Sequence, residues 1–188
     1  MVRSPALPES VRRVVGRRAR VLLVVAVCVA PAAVAWDTAG AATVWNGGTG
    51  DWSDDTLWTP ATVPNATDVD VEIDGGKTGT DSSVTLDMNA DVLSLTVDAG
   101  DALGIADGSL LDVNGGGVAN DGQITLDALG TSTAGTYLYF RGNQALTGSG
   151  EVVLSDDPHN IVRPATDADT LTNETGHKLP SGYPEGRR

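Results

Sequence analysis

The chain has 188 residues, with 25 Asp and Glu against 12 Lys and Arg, and a formal charge of −13. This acidic balance disfavours nucleic acid as a partner, because phosphate binding requires clustered Lys and Arg. A single cysteine, Cys28, cannot form a disulfide framework within the chain. The 23 glycines indicate a structure rich in tight turns.

The N-terminus has the pattern of an export signal. Six arginines precede residue 21, an apolar run follows from Val21 to Ala30, and Ala33-Val34-Ala35 fits the small-x-small cleavage rule. We predict a signal peptide over 1–35, with cleavage as late as residue 42 as an alternative. The apolar stretch is shorter than the roughly 20 residues of a membrane span, so no stable span is expected after cleavage, although an uncleaved anchor remains an alternative. The predicted location is secreted or cell surface.

Apolar residues alternate with polar ones in short bursts along the rest of the chain, which is the period of β-strands. The bursts are Val69-Val71-Ile73, Val84-Leu86, Leu93-Leu95-Val97, Leu103-Ile105, Leu111-Val113, Ile124-Leu126, Leu138-Phe140 and Val152-Leu154. Gly, Asn and Asp turns separate them. Because the strands are short and the turns recur loosely, we predict an all-β fold, a short right-handed parallel β-helix (solenoid).

The predicted organisation has four parts. The signal peptide of 1–35 is followed by a Trp-rich N-terminal cap with the first strands over 36–83. The β-helix repeats occupy 84–157, amounting to roughly three coils of about 20 residues, near the minimum for a stable solenoid. Residues 158–188 are interpreted as a linker and extended tail of a truncated protein. The mature chain would carry no cysteine and a charge of about −18.

Residues 43–155 resemble the β-helix repeats of autotransporter passengers and of related large secreted proteins with PEP-CTERM tails. The residues behind this resemblance are Asn120-Asp121-Gly122 leading into Ile124 and Leu126, and Trp45-Asn46-Gly47-Gly48-Thr49-Gly50-Asp51-Trp52 followed by Trp58. Two roles are open for Trp45, Trp52 and Trp58. They cover the open first coil, as solenoid ends require, or they stack on sugars. The cap is the preferred interpretation.

The segment 173–188, which contains Thr175-Gly176-His177-Lys178-Leu179-Pro180, resembles a stretch of secreted multihaem c-type cytochrome proteins. The chain has no C-x-x-C-H motif, so this polypeptide cannot attach haem covalently. By this resemblance His177 could be an axial haem ligand only if a missing partner segment supplied the haem. A solvated tail left by truncation or gene fusion is the preferred interpretation.

No catalytic constellation is predicted. The adjacent pairs Asp54-Asp55 and Asp156-Asp157 cannot place two carboxylates on one strand face, and they are assigned to turns. The turns at 47–51 and 75–81 approach a Ca²⁺-binding nonapeptide, but the Asp is one place out of register. We therefore expect no cofactor and no metal site, with Ca²⁺ as a weak alternative.

The expected function is that of a non-enzymatic, structural or adhesive β-helix, whose partner is an extracellular glycan or a cell-surface protein. Two alternatives stay open. One is a β-helix that binds or cleaves polysaccharide, which would need an acidic groove with two separated carboxylates. The other is a remnant of a redox protein related to multihaem cytochromes.

Overall fold

The computed structural model describes residues 41–73, 81–130, 133 and 135–180. The predicted signal peptide, residues 75–80 of the second Ca²⁺-like turn and residues 181–188 of the tail lie outside these ranges. Within the described ranges, no helix is long and apolar enough to span a membrane.

The described residues form fourteen strands and one 3-10 turn at Asp55–Leu57. The strands of the first half are β1 Thr43–Trp45, β2 Thr49–Asp51, β3 Trp58–Thr59, β4 Asp70–Ile73, β5 Ser83–Leu86, β6 Ala90–Val97 and β7 Ala102–Ala106. Those of the second half are β8 Leu110–Asn120, β9 Gln123–Asp127, β10 Thr136–Phe140, β11 Asn143–Thr147, β12 Glu151–Leu154, β13 Asn160–Pro164 and β14 Thr170–Asn173. The secondary structure is thus nearly all β, as predicted.

Among the strands that the structure describes, every pair but one is parallel, and the parallel pairs join strands of successive coils. The first face of the helix contains β13, β10 and the first halves of β8 and β6. The second face contains β14, β11, the second halves of β8 and β6, then β4 and β1. The third face is a five-stranded sheet in the order β12-β9-β7-β5-β2. The prediction of a parallel β-helix is confirmed, with about five turns.

Aliphatic side chains fill the interior as ladders, because equivalent inward positions of successive coils stack directly. On the third face one ladder consists of Val84, Leu103, Ile124 and Val152. On the first face another consists of Ala90, Leu111, Leu138 and Val162. Every one of these side chains is at most 4% exposed. Full burial of such a residue contributes about 1.5–3 kcal/mol, so the ladders are the main source of stability.

The coils differ in length while the strands stay in register. Val84 and its partner Leu103 are 19 residues apart, whereas Ile124 and Val152 are 28 residues apart. Most of the additional residues lie between β9 and β10 and between β10 and β11. Turn length can therefore vary without disturbing the ladders, since turns run over the surface.

The N-terminal end of the helix is closed by the one antiparallel strand. β3 pairs with β1 so that Val44 lies opposite Thr59 and Trp45 opposite Trp58. An exposed strand edge is a template for pairing with another chain. The reversal of direction at β3 prevents a further parallel coil from adding to β1.

The helix continues past residue 157, where the sequence interpretation placed a linker. β13 pairs with β10 and β14 pairs with β11, both in parallel. Asn160 anchors the start of β13, since its Oδ1 accepts a hydrogen bond from the Ala128 N–H at 3.0 Å and its Nδ2 donates to the Ser155 carbonyl at 3.1 Å. The apolar signal is weak here because Asn173 occupies the position that corresponds to inward-facing Leu146.

Candidate functional site

The three tryptophans singled out from the sequence form one buried cluster. Trp45 and Trp52 are fully buried, and Trp58 is 1% exposed. The Trp58 ring contacts Trp45 and Trp52 edge to face, with centroid distances of 4.9 and 4.8 Å. Such aromatic pairs add about 0.5–1.5 kcal/mol beyond the area that they bury.

Every indole N–H in the cluster has a backbone acceptor. Trp52 donates to the Pro64 carbonyl at 2.9 Å, Trp58 to the Trp52 carbonyl at 2.9 Å, and Trp45 to the Gly48 carbonyl at 3.2 Å. A ring that stacks on a sugar must present a face to solvent. These rings are buried and present none, so contact with a sugar would require the cluster to open.

His177 is not in a solvated tail. Its side chain is buried at the C-terminal end of the helix, with 6% of the residue exposed. Asn120 Nδ2 lies 3.0 Å from His177 Nε2, and His177 Nδ1 lies 3.1 Å from Asn173 Oδ1. A haem iron would bind to a free ring nitrogen, and here each nitrogen already has a partner. Haem ligation would therefore require one of these contacts to break.

A row of charged and aromatic side chains lies on the outside of the first face. Asp91, Asp112, Tyr139 and Arg163 occupy register-equivalent positions of four successive coils. We call these four residues the outer strip. Tyr137 lies two residues before Tyr139 on β10 and therefore points outward as well. Arg141 follows the end of β10, and its side chain is exposed.

The aromatic end of the outer strip is held by an arginine. The Arg163 guanidinium carbon lies 4.9 Å from the centroid of the Tyr139 ring, and Arg163 Nη2 donates to the Tyr139 hydroxyl at 3.2 Å. The Tyr137 ring centroid lies 5.0 Å from that of Tyr139. All three side chains remain in part accessible to solvent. Together they form a contiguous polar and aromatic surface.

The acidic end of the outer strip contains a buried carboxylate. Arg141 Nε donates to Asp112 Oδ2 at 2.7 Å and Arg141 Nη2 lies 2.5 Å from the same oxygen, while Asp112 Oδ1 has no hydrogen-bond partner among the described residues. Burial raises the pKa of Asp112 above its ordinary value although the bond to Arg141 opposes the shift. The negative charge of Asp91 raises it further.

The carboxylate pairs considered from the sequence have local, structural contacts. Asp54 caps the 3-10 turn and accepts from the Thr56 N–H at 3.0 Å. Asp157 accepts from the backbone N–H of His159 at 2.8 Å and contacts the His159 ring, and these two bonds lower the pKa of Asp157. Within the described ranges, no three His, Cys, Asp or Glu side chains converge as metal ligands.

A shallow groove of about 180 Å³ lies on the second face, beside β11 and the glycines at 115–117. Gln144 supports its wall, because its Oε1 accepts from the Gly117 N–H at 3.0 Å and its Nε2 donates to the Val113 carbonyl at 2.6 Å. The groove is thus a feature of the corner between two faces, braced by a satisfied amide.

The outer strip was missed at the sequence level. Its members lie 21, 27 and 24 residues apart along the chain, so no short motif contains them. The available signal was the alternation of Tyr137 and Tyr139 with Leu138 and Phe140. That alternation places two aromatic rings on the outward side of a strand whose inward side is already apolar.

The fold and the outer strip define a parallel β-helix with a preorganised row of polar and aromatic side chains on its first face. Comparison with protein-family models, with curated proteins and with solved structures found no match to this chain.

Proposed function

We propose that this chain is a secreted or cell-surface β-helix with a structural or adhesive role, and that it contacts an extracellular glycan through the outer strip. The observation that carries the proposal is the alignment of Asp91, Asp112, Tyr139 and Arg163 across four coils. A stacked helix holds such a row at the fixed spacing of its strands, about 4.8 Å. Contact along it therefore costs little ordering of the protein.

The chemistry of the outer strip is suited to a neutral polysaccharide. Hydroxyl groups of a sugar both donate and accept, and the accessible Asp91, Tyr139 and Arg163 offer acceptors, donors and a polar aromatic edge. Asp112 is buried and contributes by holding Arg141. Strongly anionic polymers are less suitable, because the described residues contain only three Lys and Arg, namely Arg141, Arg163 and Lys178, against 21 Asp and Glu. Two of these cations are already engaged at the strip, by Asp112 and Tyr139.

The test is a glycan array followed by titration of the best ligand against outer-strip variants. We expect Tyr139→Ala to weaken binding by about tenfold, which corresponds to about 1.4 kcal/mol. Thr125→Ala is the matched control, since Thr125 points outward from β9 on the third face and should leave the affinity unchanged. Equal affinities for all three chains, or binding to a cell-surface protein but to no glycan, would contradict the assignment of a glycan to this strip.

Polysaccharide cleavage is a second candidate function, and one observation favours it. Asp91 and Asp112 lie side by side on neighbouring coils, and the pKa of Asp112 is raised. Glycosidic cleavage uses two carboxyl groups, one of which is kept protonated by its surroundings. The assay is release of reducing sugar from polysaccharides that bind. Release that Asp112→Asn abolishes without loss of binding would support cleavage, whereas no release by the unmodified chain would leave adhesion as the function.

A further inference from the structure

The residues that follow β14 cover the edge of β12 on the third face. We call 174–180 the capping segment. The Lys178 N–H donates to the Gly150 carbonyl at 3.0 Å, and the Val152 N–H donates to the Lys178 carbonyl at 2.9 Å. Leu179 packs against the hydrophobic core. These contacts attach the segment to the free edge of β12.

The hydrogen bonds of His177 fix its protonation state. The Asn120 side-chain N–H group can only donate, and it donates both to the Glu151 carbonyl at 3.1 Å and to His177 Nε2. Nε2 must therefore be an unprotonated acceptor. Nδ1 then carries the proton and donates to Asn173 Oδ1, whose amide is oriented by a bond from Asn173 Nδ2 to the His177 carbonyl at 3.2 Å. The network accommodates only a neutral imidazole.

A second proton on His177 would disrupt this network. Nε2–H would face the Asn120 N–H group, donor against donor, in a site where 6% of the residue is exposed. Rotation of the Asn120 amide offers no remedy, because its oxygen would then face the Glu151 carbonyl. A buried charge without an acceptor is costly, and release of the segment into water removes that cost.

We propose that His177 is a proton-sensitive latch that holds the capping segment on β12 at neutral pH and releases it in mildly acidic surroundings. Release uncovers the backbone of β12, and so makes an edge that a further strand can pair with. The latch is separate from the proposed glycan contact and does not depend on it.

The charged groups near His177 affect the pKa of its imidazole but do not reverse the direction of the pH effect. Asp121, on the turn after β8, attracts a protonated imidazole, but its carboxylate is engaged by the Ser149 N–H and hydroxyl, both at 2.8 Å. Glu151 on β12 accepts from Gln123 at 2.9 Å, and the segment itself contributes Glu174 and Lys178. Burial lowers the pKa of His177 and outweighs the opposing effect of Asp121.

The direction of the pH effect follows from linkage. A histidine that is neutral when docked and has its ordinary pKa of about 6.5 when released binds more protons in the released state. Docking is therefore complete above pH 6.5 and weakens as the pH falls below it. At pH 5.5 the released fraction should rise severalfold, by up to about tenfold.

The test is hydrogen exchange of the Lys178 and Val152 amides in the full chain at pH 7.5 and 5.5, corrected for intrinsic rates. We expect protection to fall severalfold at pH 5.5, with no such change at Leu103 or Ile124. His177→Gln should lose the pH response of amide protection. His159→Gln should keep it, since the side chain of this second histidine is exposed.

NMR titration of the His177 imidazole in the unmodified chain tests the latch without requiring any variant to fold. We expect His177 to show the Nδ1–H tautomer and a pKa below that of a free histidine. Equal protection of both amides at the two pH values, or a His177 pKa at or above the ordinary value, would overturn the proposal.

Discussion

Asn120 Nδ2 lies 3.0 Å from His177 Nε2, although the two residues are 57 positions apart in the sequence. Asn120 occupies an inward ladder position next to Val97 of the preceding coil, where the other members are apolar. The interior ladder therefore ends in a polar pair rather than in an exposed aliphatic face. This pair connects the end of β8 to the capping segment.

Removal of the imidazole should destabilise the chain. His177→Ala leaves the buried Asn120 amide without its second acceptor, and an unsatisfied buried group costs about 1–3 kcal/mol. Urea denaturation at pH 7.5 measures the difference. His159→Ala is the control and should change the free energy of unfolding by less than about 0.5 kcal/mol, because His159 is exposed. Equal losses in the two variants would contradict the buried network.

Two leucines three residues apart test the interior ladders. Leu126 is fully buried, whereas Leu129 is 65% exposed. Leu126→Ala should cost about 2–5 kcal/mol through lost burial and a residual cavity. Leu129→Ala should cost less than about 0.5 kcal/mol. Chemical denaturation of both variants is the measurement, and similar midpoints would mean that this coil is not packed as described.

Two glycines with positive φ test the close stacking of the turns. Gly148 has φ +99°, and a Cβ there would lie 2.2 Å from the Asn120 carbonyl oxygen, whereas Gly142 has φ +81° and open space around its Cβ position. Gly142→Ala should cost only the left-handed backbone strain, about 1 kcal/mol. Gly148→Ala adds a clash with the Asn120 carbonyl oxygen and should lower the free energy of unfolding by clearly more than Gly142→Ala does. Thermal denaturation of the two variants gives the comparison, and equal costs would show that the coils are less tightly stacked.

The Asp112–Arg141 pair should give a pH-dependent variant. Arg141→Ala leaves the Asp112 carboxylate buried without a cation, at a cost of about 1–3 kcal/mol at pH 7. Because the pKa of Asp112 is raised in the folded state, the folded chain takes up this proton before the unfolded chain does. The loss in free energy of unfolding caused by Arg141→Ala should therefore shrink as the pH falls from 7 towards 4.

The control for this variant is Asp112→Asn combined with Arg141→Ala, in which position 112 cannot titrate. Urea denaturation gives the free energy of unfolding of the single and the double variant at each pH. The difference between the two free energies cancels the contributions of all other carboxylates. A difference that is independent of pH would show that Asp112 is not the group responsible.

Much of the interior could be predicted from the sequence because strand alternation is a local signal. Leu95 and Val97, like Ile124 and Leu126, stand two residues apart, and the structure places each pair inward. Turn glycines between such pairs then indicate short stacked strands. The predicted inward positions Val69 and Leu93 are only partly buried. Val69 precedes β4, and Leu93 lies at the register shift between the two halves of β6.

The last coil and the outer strip could not be predicted, for two physical reasons. Near the C-terminal end the polar residues Asn160 and His177 are buried, and their burial depends on hydrogen bonds to distant residues, whereas Asn173 at the position of Leu146 is exposed. The strip depends on register between coils of unequal length. A sequence pattern does not fix how many residues a turn absorbs, so neighbours across coils remain unknown until the strands are paired.

The described residues form a continuous β-helix that is closed at its C-terminal end by β13, β14 and the capping segment. The most direct measurement is a far-ultraviolet circular dichroism melt of the full chain beside a version that ends at Asp157. Truncation removes β13, β14 and His177 and uncovers the ladders of the preceding coil. Since each lost kcal/mol lowers the melting temperature by about 2–4 °C in a chain of this size, we predict a drop of roughly 10 °C or more, or loss of cooperativity. An identical β-type transition in both chains would contradict the claim and make residues 158–188 a dispensable tail.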